Sequence, residues 1–259
     1  MALKIFGVPL SQPVRAVVWQ CLVKRVPFTF EMVVPGASGK MGTKGPEFRA
    51  KFPLGTVPAI EDGDLHLSES VAIMSYIADK FSLHGLYPTD LAARARVHEY
   101  MAWSHRNTRN ASAKVFGPFV RADLRPSGST WLEDGLKSVD ASCTTIDGFW
   151  LSCTPFLAGQ TPTIADFSCY EELVQLAPDY GAVMDFSKYG NLHKWMGQMA
   201  SLPHHDEVHA VLKELGPLEG LLSLDAKGVG AKLMASTKTG MLGIKTAVAA
   251  NEKAAPIAV

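Results

Sequence analysis

The tripeptide Ser11-Gln12-Pro13 stands between an apolar run at residues 3–8 and a helix-forming run at residues 14–22. This order predicts a strand that turns sharply into a helix, with Pro13 at a first helical position, where its missing N–H costs nothing. The unpaired backbone N–H groups and the positive dipole end of that helix would then lie beside the Ser11 hydroxyl. Such a site can stabilise an anion such as a thiolate. Alternatively, Ser11 serves only as the N-cap of the helix.

The composition excludes several classes of protein. With 259 residues, of which 47% are hydrophobic and 19% charged, the chain can bury a substantial core in one large domain or two modest ones. Lys+Arg and Asp+Glu both number 25, so the net charge of zero gives no whole-chain argument for nucleic-acid binding. The four cysteines form no Cys-x-x-Cys pair and no cluster with histidine, so we expect no metal.

Localisation is predicted from the same sequence. No segment approaches the apolar length needed to cross a bilayer. A strand predicted almost at Met1 leaves no room for a signal or transit peptide. We therefore expect a cytoplasmic protein that binds neither membranes nor nucleic acid.

The first 82 residues mix strand and helix signals. Residues 28–34 alternate and are rich in β-branched and aromatic side chains, which predicts a second strand. Two short apolar segments flank Asp62-Gly63-Asp64, the signature of a compact hairpin. A helical pattern follows from Ser70 to Phe81. The order βαβ, loop, ββα predicts a small α/β layer on a mixed sheet.

Strand signals nearly vanish after a linker at residues 83–89. Helical patterns cover residues 90–115, 131–151, 191–199 and 205–215, and Thr163 and Asp166 have capping-box spacing at the start of one more helix. These patterns predict an all-helical domain at residues 90–216. Residues 217–259 are rich in Ala, Gly and Lys, and glycines interrupt their weak apolar stripe. We expect this tail to be poorly ordered or loosely helical.

Segments in three parts of the chain resemble blocks of the soluble glutathione transferases, and the theta class in particular. LSQPVRAV at residues 10–17 is similar to the theta catalytic-serine segment. PLGTVPAI at 53–60 with DGDLHLSESVAI at 62–73 resembles the glutathione-site block. YPTDLAARARVHEYMAW at 87–103 resembles the theta linker and the first helix of the second domain. The resemblance covers roughly residues 3–215. It implies a thioredoxin-like glutathione-binding domain with a mixed four-stranded sheet, an all-α electrophile-binding domain, and a homodimer.

The resemblance also implies roles for individual residues. Ser11 would donate a hydrogen bond to the glutathione thiolate, which is the nucleophile. The Val57–Pro58 bond would be cis and would present the Val57 backbone to the cysteinyl part of glutathione, whereas an X-Pro bond taken alone is usually trans. Glu69 and Ser70 would contact the ammonium and carboxylate of the γ-glutamyl end.

The chain departs from the theta pattern where the glycyl carboxylate would bind. Theta members often carry basic residues just before the Val-Pro pair and a histidine in the preceding loop. The matching positions here hold Thr56 and Thr43. Lys40 and Lys44 are close enough in sequence to take over this contact. We therefore expect a weaker affinity for glutathione than is typical.

The electrophile pocket is assigned by resemblance to Arg109, His105 and Met101, with a solvated helix charge as the alternative for Arg109. The expected activity is conjugation of glutathione to small electrophiles, with displacement of halide from alkyl halides or reduction of organic hydroperoxides as candidate reactions and detoxification as the role. The alternative is a non-catalytic glutathione-transferase-like protein that binds ligands or acts as a scaffold. Thiol-disulfide exchange would need a cysteine at the position of Ser11.

Overall fold

Four short strands form one mixed sheet. In a computed structural model that describes residues 3–254, β1 (Leu3–Gly7) pairs in parallel with β2 (Phe28–Met32) and antiparallel with β3 (Ala59–Asp62). The hairpin partner of β3 is β4 (Leu65–Ser68), so the order is β2-β1-β3-β4. Helix α1 (Gln12–Val23) makes the crossover that a parallel strand pair requires. The predicted thioredoxin-like fold is confirmed.

The other described elements are helices and helical turns. Two of the helices, α2 (Pro46–Lys51) and α3 (Ser70–Lys80), complete the N-terminal part, and α3 and α4 (Leu91–Ser104) flank the predicted linker. The domain boundaries at residues 82 and 90 stay predictions. Residues 1–2 of the predicted N-terminal domain and residues 255–259 of the predicted tail lie outside the described residues. The helices are α2 (Pro46–Lys51), α3 (Ser70–Lys80), α4 (Leu91–Ser104), α5 (Gly117–Val120), α6 (Trp131–Thr145), α7 (Ile164–Val174), α8 (Gly190–Ala200), α9 (His205–Leu215) and α10 (Ala226–Lys253), with π-helical turns at Ala111–Phe116 and Ile146–Trp150 and 3₁₀ turns at Ala122–Leu124 and Leu218–Ser223.

The helical pattern predicted at residues 90–115 is broken in the structure. α4 ends at Ser104, and irregular turns separate it from the next helical segment. The Asn107 amide donates to the Trp103 carbonyl at 2.8 Å. A side chain that satisfies a backbone carbonyl in this way competes with the continued helical ladder. The break leaves Arg109 in the turn instead of on a regular helix.

Helices α1 and α7 join the two parts of the chain. Trp19 of α1 packs edge-on against Phe167 of α7, with 5.0 Å between ring centroids, and its indole N–H donates to the Pro203 carbonyl at 2.8 Å. Both rings are fully buried. Such aromatic pairs contribute about 0.5–1.5 kcal/mol beyond the area that they bury. This packing holds the middle of α1 against the helical part, and Ser11 directly precedes this helix.

Residues 226–253 form one continuous helix, where the sequence predicted a tail that is poorly ordered or loosely helical. The Asp225 carboxylate caps this helix by accepting a hydrogen bond from the Gly228 N–H at 2.7 Å. The glycines that interrupt the apolar stripe include points of close contact. A Cβ at Gly243 would lie 2.2 Å from the Glu207 carbonyl oxygen of α9. Close packing of α10 on α9 offsets the roughly 0.5–1 kcal/mol that a glycine costs in a helix.

Replacing Gly243 by alanine should therefore destabilise the protein. Gly243→Ala forces the α9 and α10 backbones apart, and we expect a loss of about 1–3 kcal/mol in the free energy of unfolding. Gly230→Ala, on the same helix with open space at its Cβ position, should be neutral or stabilising by up to about 1 kcal/mol. Urea unfolding of the two variants measures the difference. Equal midpoints would contradict the close-contact explanation.

An ion-pair cluster fixes the strand that follows Val57-Pro58. Glu61 of β3 bonds to Lys4 of β1 at 2.7 Å and to Lys51 of α2. Hydrogen bonds from the two lysines lower the pKa of the Glu61 carboxyl to about 2, against the opposing effect of burial. The folded protein therefore binds this proton less readily than the unfolded chain does.

The cluster should make stability depend on pH in the acid range. Its contribution is fully present above the ordinary carboxyl pKa of about 4.3 and is lost as the pH falls towards 2. Wild type should exceed Glu61→Gln in urea midpoint at pH 7, and the gap should close between about pH 4.5 and 2. A gap that stays constant over this range would show that the pKa of Glu61 is not lowered.

Candidate active site

A cleft of about 220 Å³ lies between the sheet-bearing part and the helical part. Its walls come from the start of α1, the loop before β3, the start of α3, the turn after α4, and α7. Among the described residues, α10 contributes none of the lining side chains. Seven of the residues predicted from the sequence line the cleft: Thr56, Val57, Pro58, Glu69, Ser70, His105 and Arg109.

Two helix N-termini without side-chain caps meet at this cleft. Ser11 is the N-cap residue of α1 and Glu69 that of α3, but neither side chain accepts a hydrogen bond from its own first turn. Asp90 and Asp225 cap helices α4 and α10, whereas α2, α6, α8 and α9 also have no cap from the side chain of the N-cap residue, so α1 and α3 are distinguished by the cleft at which both begin. The first-turn N–H groups of α1 and α3 therefore retain hydrogen-bonding capacity and a positive partial charge at the cleft. In this structure the Ser11 hydroxyl does not accept the capping hydrogen bond that the alternative assigns to it, and its catalytic role stays a prediction.

The backbone around the cleft is specialised at two positions. The Val57–Pro58 peptide bond is cis, as the resemblance implies. The half-buried Val57 side chain packs against both hydrophobic clusters of the molecule, which anchors this segment at the cleft wall. Glu69 has a φ of +71°, a conformation that costs a non-glycine residue about 1–3 kcal/mol. Strain of this kind is found preferentially at ligand-binding sites.

The opposite wall carries a hydrogen-bonded charge network around Glu172 of α7. Arg109 Nη1 and Gln12 Nε2 both donate to Glu172 Oε1, at 2.9 and 2.6 Å, and the Ser112 hydroxyl donates to Oε2 at 2.6 Å. Burial raises the pKa of the Glu172 carboxyl, and Arg109 and Ser112 oppose this shift. The Arg109 side chain is 45% exposed while its partner is 9% exposed. Arg109 is therefore an anchored cation at the cleft and not a freely solvated helix charge.

Five of the predicted residues are not among those that line the cleft: four lie elsewhere, and Ser11 directly precedes a lining residue. Met101 is 2% exposed and belongs to the core, so it is not a wall of this cleft. Thr43 is buried, and its hydroxyl accepts a hydrogen bond from the Gly36 N–H at 2.9 Å, which fixes the loop itself. Lys40 and Lys44 are exposed and do not line the cleft. Ser11 is half-buried and directly precedes Gln12, which does line it.

Neither Gln12 nor Glu172 was predicted as a site residue from the sequence. The signal for Glu172 was present, because Glu171 and Glu172 are adjacent carboxylates in an otherwise largely apolar helical run. A helix that is buried on nearly all sides must pair such charges, since an unpaired buried carboxylate is very costly. Gln12 has no comparable signal, because a glutamine at the start of a helix is usually exposed.

Comparison with known proteins agrees with this architecture. A family model described as the N-terminal domain of glutathione S-transferase matches residues 5–85. Glutathione S-transferase T1 of Arabidopsis thaliana is 35% identical over 225 residues, which are 82% of this chain and 89% of that protein. Human glutathione S-transferase theta-2 is 34% identical over 183 residues, 68% of this chain and 72% of its own. The chain belongs to the glutathione S-transferase family.

Theta-class proteins are among its relatives in both sequence and structure. Glutathione S-transferase T3 of Arabidopsis thaliana is 38% identical over 82% of this chain, but the match covers only 37% of that longer protein. The crystal structure of human glutathione transferase theta-2, described as a complex with glutathione and an unknown ligand, superposes with a TM-score of 0.72. The sequence identity is 28%, and the superposition covers 92% of this chain and 100% of that one.

Within residues 3–254, no helix is both long and apolar enough to cross a membrane.

Proposed function

We propose that this protein is a theta-like glutathione transferase in which the Ser11 hydroxyl stabilises the glutathione thiolate. The observation that carries the proposal is the meeting of two uncapped helix N-termini at one cleft. Glutathione has a thiol and a γ-glutamyl carboxylate, so one anionic group is available for each helix. Binding of glutathione to a structural relative, the human theta-2 enzyme, supports this choice of ligand.

The chemical step requires an ionised thiol. A thiol with an ordinary pKa of about 8.5 is only a few per cent ionised near neutrality. A hydrogen bond from Ser11 and the partial positive charge at the start of α1 favour the thiolate, and each unit by which the thiol pKa falls corresponds to about 1.4 kcal/mol. With an alkyl halide, the thiolate forms a C–S bond as the carbon–halogen bond breaks and halide departs. With an organic hydroperoxide, it attacks oxygen as the O–O bond breaks, which gives the alcohol and a glutathione sulfenic acid, and a second glutathione converts this acid to the disulfide and water. The chain supplies electrostatic stabilisation and does not form a covalent intermediate.

The proposed glutathione contacts follow the cleft wall. Val57 offers its backbone to the cysteinyl part, and Ser70 offers its hydroxyl and N–H to the γ-glutamyl carboxylate. Glu69 engages the ammonium group. Of the residues predicted near the glycyl carboxylate of glutathione, Thr56 lines the cleft, whereas Lys40 and Lys44 do not. A weak contact to the glycyl carboxylate, and so a modest affinity for glutathione, is part of the proposal.

The electrophile would bind on the helical side. Arg109 and His105 line that wall, and Arg109 places a cation near the position where negative charge develops on a leaving group. Alkyl halides and organic hydroperoxides are the proposed substrate classes. A cytoplasmic, detoxifying homodimer is proposed with them, and sedimentation of the purified protein would test the oligomeric state.

Ser70→Ala should separate binding from chemistry. The variant loses a hydrogen bond to a carboxylate, so KM for glutathione should rise by about tenfold or more while kcat changes less than about twofold. Ser68→Ala, at the end of β4 and not lining the cleft, is the matched control and should leave KM unchanged. Steady-state kinetics with an alkyl halide and an organic hydroperoxide give both constants. Glutathione binding that depends on Ser70 but gives no turnover with either electrophile would favour the non-catalytic alternative.

A further inference from the structure

The turn that carries Ser11 is held by two groups outside the cleft. Arg15 Nη1 donates to the carbonyls of Leu10 and Pro9, at 2.8 and 3.2 Å. On another side, Pro9 packs against α10 so closely that a Cβ at Gly240 would lie 2.7 Å from the Pro9 Cβ. The two residues immediately before Ser11 are therefore fixed by a polar contact and by a packing contact.

The polar contact is itself rigid. Arg15 is fully buried, and its Nε donates to Glu171 Oε2 at 2.6 Å. The other oxygen of Glu171 lies 3.1 Å from His209 Nε2, and His209 Nδ1 donates to the His205 carbonyl at 2.6 Å. A planar guanidinium held in this way has little freedom to follow the turn if the turn moves.

Through its packing contact with Pro9, α10 is a second support of the turn that carries Ser11. A Cβ at Gly240 would also lie 2.8 Å from the Val211 Cβ of α9, whereas ordinary carbon–carbon contacts are about 3.5–4.0 Å. Further along α10, the Asn251 amide donates to the Leu22 carbonyl near the end of α1 at 2.8 Å. α10 thus contacts both the turn that precedes α1 and the last residues of α1. A side chain at position 240 would either displace Pro9 or lift α10 away from it.

We propose that Gly240 and Arg15 are positioning residues for the Ser11 hydroxyl, so that the C-terminal helix acts on the thiolate site without lining the cleft. This inference rests on the proposed role of Ser11. It predicts an effect on the reactivity of the bound thiol and little effect on the binding of glutathione, because Val57, Glu69 and Ser70 lie on other elements.

The test is Gly240→Ala, with the pKa of bound glutathione measured by ultraviolet thiolate absorbance and the kinetics measured in parallel. A displacement well below 1 Å should lower kcat by about tenfold. The thiol pKa should rise by about half a unit, and KM for glutathione should stay within about twofold. Arg15→Lys keeps the charge beside Glu171 but loses the Nη1 atom that donates to both carbonyls, and it should shift the thiol pKa in the same direction.

Two control variants on α10 separate positioning from general loosening. Gly230→Ala has open space at its Cβ and should match wild type. Asn251→Ala releases the far end of the helix and should lower stability without changing the thiol pKa. An unchanged thiol pKa in Gly240→Ala, or an equal change in Asn251→Ala, would overturn the inference while leaving the role of Ser11 intact. An unshifted thiol in wild type would overturn the role of Ser11, and the inference with it.

Discussion

Ser11→Ala should lower kcat for glutathione conjugation by roughly 10²–10³-fold, the loss typical when one preorganised donor to a developing or bound anion is removed. The substitution removes a hydroxyl at the start of α1 without changing the helix itself. KM for glutathione should stay within a few-fold, because the proposed contacts of the γ-glutamyl and cysteinyl groups lie on Val57, Glu69 and Ser70. Steady-state kinetics at saturating electrophile check this.

Two controls accompany Ser11→Ala: its own stability, and the activity of a variant at a second serine, Ser104. Since the Ser11 side chain makes no capping hydrogen bond, the free energy of unfolding should change by less than about 0.5 kcal/mol. Ser104 lines the cleft itself, but its hydroxyl donates to the Met101 carbonyl at 2.8 Å, so Ser104→Ala should retain most of the activity. Equal losses in the two serine variants would mean that the cleft responds to any lost hydroxyl and that Ser11 has no special role.

The second large effect is expected at Glu171, the centre of a buried ionic cluster between α1, α7 and α9. Its carboxylate bonds to Arg15 and faces His209, and all three side chains are buried, at 0–1% exposure. Burial opposes ionisation, but His209 and Arg15 outweigh it and hold the pKa of the Glu171 carboxyl below its ordinary value. The carboxylate is therefore the charge that makes it feasible to bury Arg15.

Glu171→Gln should destabilise the protein by about 3–5 kcal/mol, because it leaves the buried Arg15 charge without its counterion. Urea unfolding measures this loss. Glu133→Gln is the control, since Glu133 pairs with Lys137 on the surface of α6, and exposed pairs of this kind contribute less than about 1 kcal/mol. As the pH falls through the lowered pKa of Glu171, wild type also loses the ion pair, so the difference from Glu171→Gln should shrink. Similar losses in the Glu171 and Glu133 variants would show that the buried cluster is not a main source of stability.

The parts of the fold that could be predicted from the sequence are those set by local signals. The hairpin around Asp62-Gly63-Asp64 and the helix beginning after Ser11 depend on turn chemistry and on Pro13, and both form as predicted. The cleft wall at Val57 and Ser70 followed from resemblance, and the structure brings both residues to one cleft.

The failures arise where distant contacts override local preference. Glycine in a helix is unfavourable on its own, so α10 could not be foreseen without knowing that Gly240 and Gly243 contact Pro9 and Glu207. Periodicity likewise placed Met101 on a helix but could not decide which face meets the core. The network at Glu172 needed the relative positions of α1 and α7, which no spacing in the sequence contains.

The most direct test of the central claim is the ultraviolet absorbance of the glutathione thiolate on the purified protein as the pH is varied. The account predicts that the bound thiol ionises at least about one unit below its free pKa of about 8.5, and that Ser11→Ala abolishes this shift while still binding glutathione. A bound thiol with an unshifted pKa in the wild-type protein, or a failure to bind glutathione at all, would contradict it.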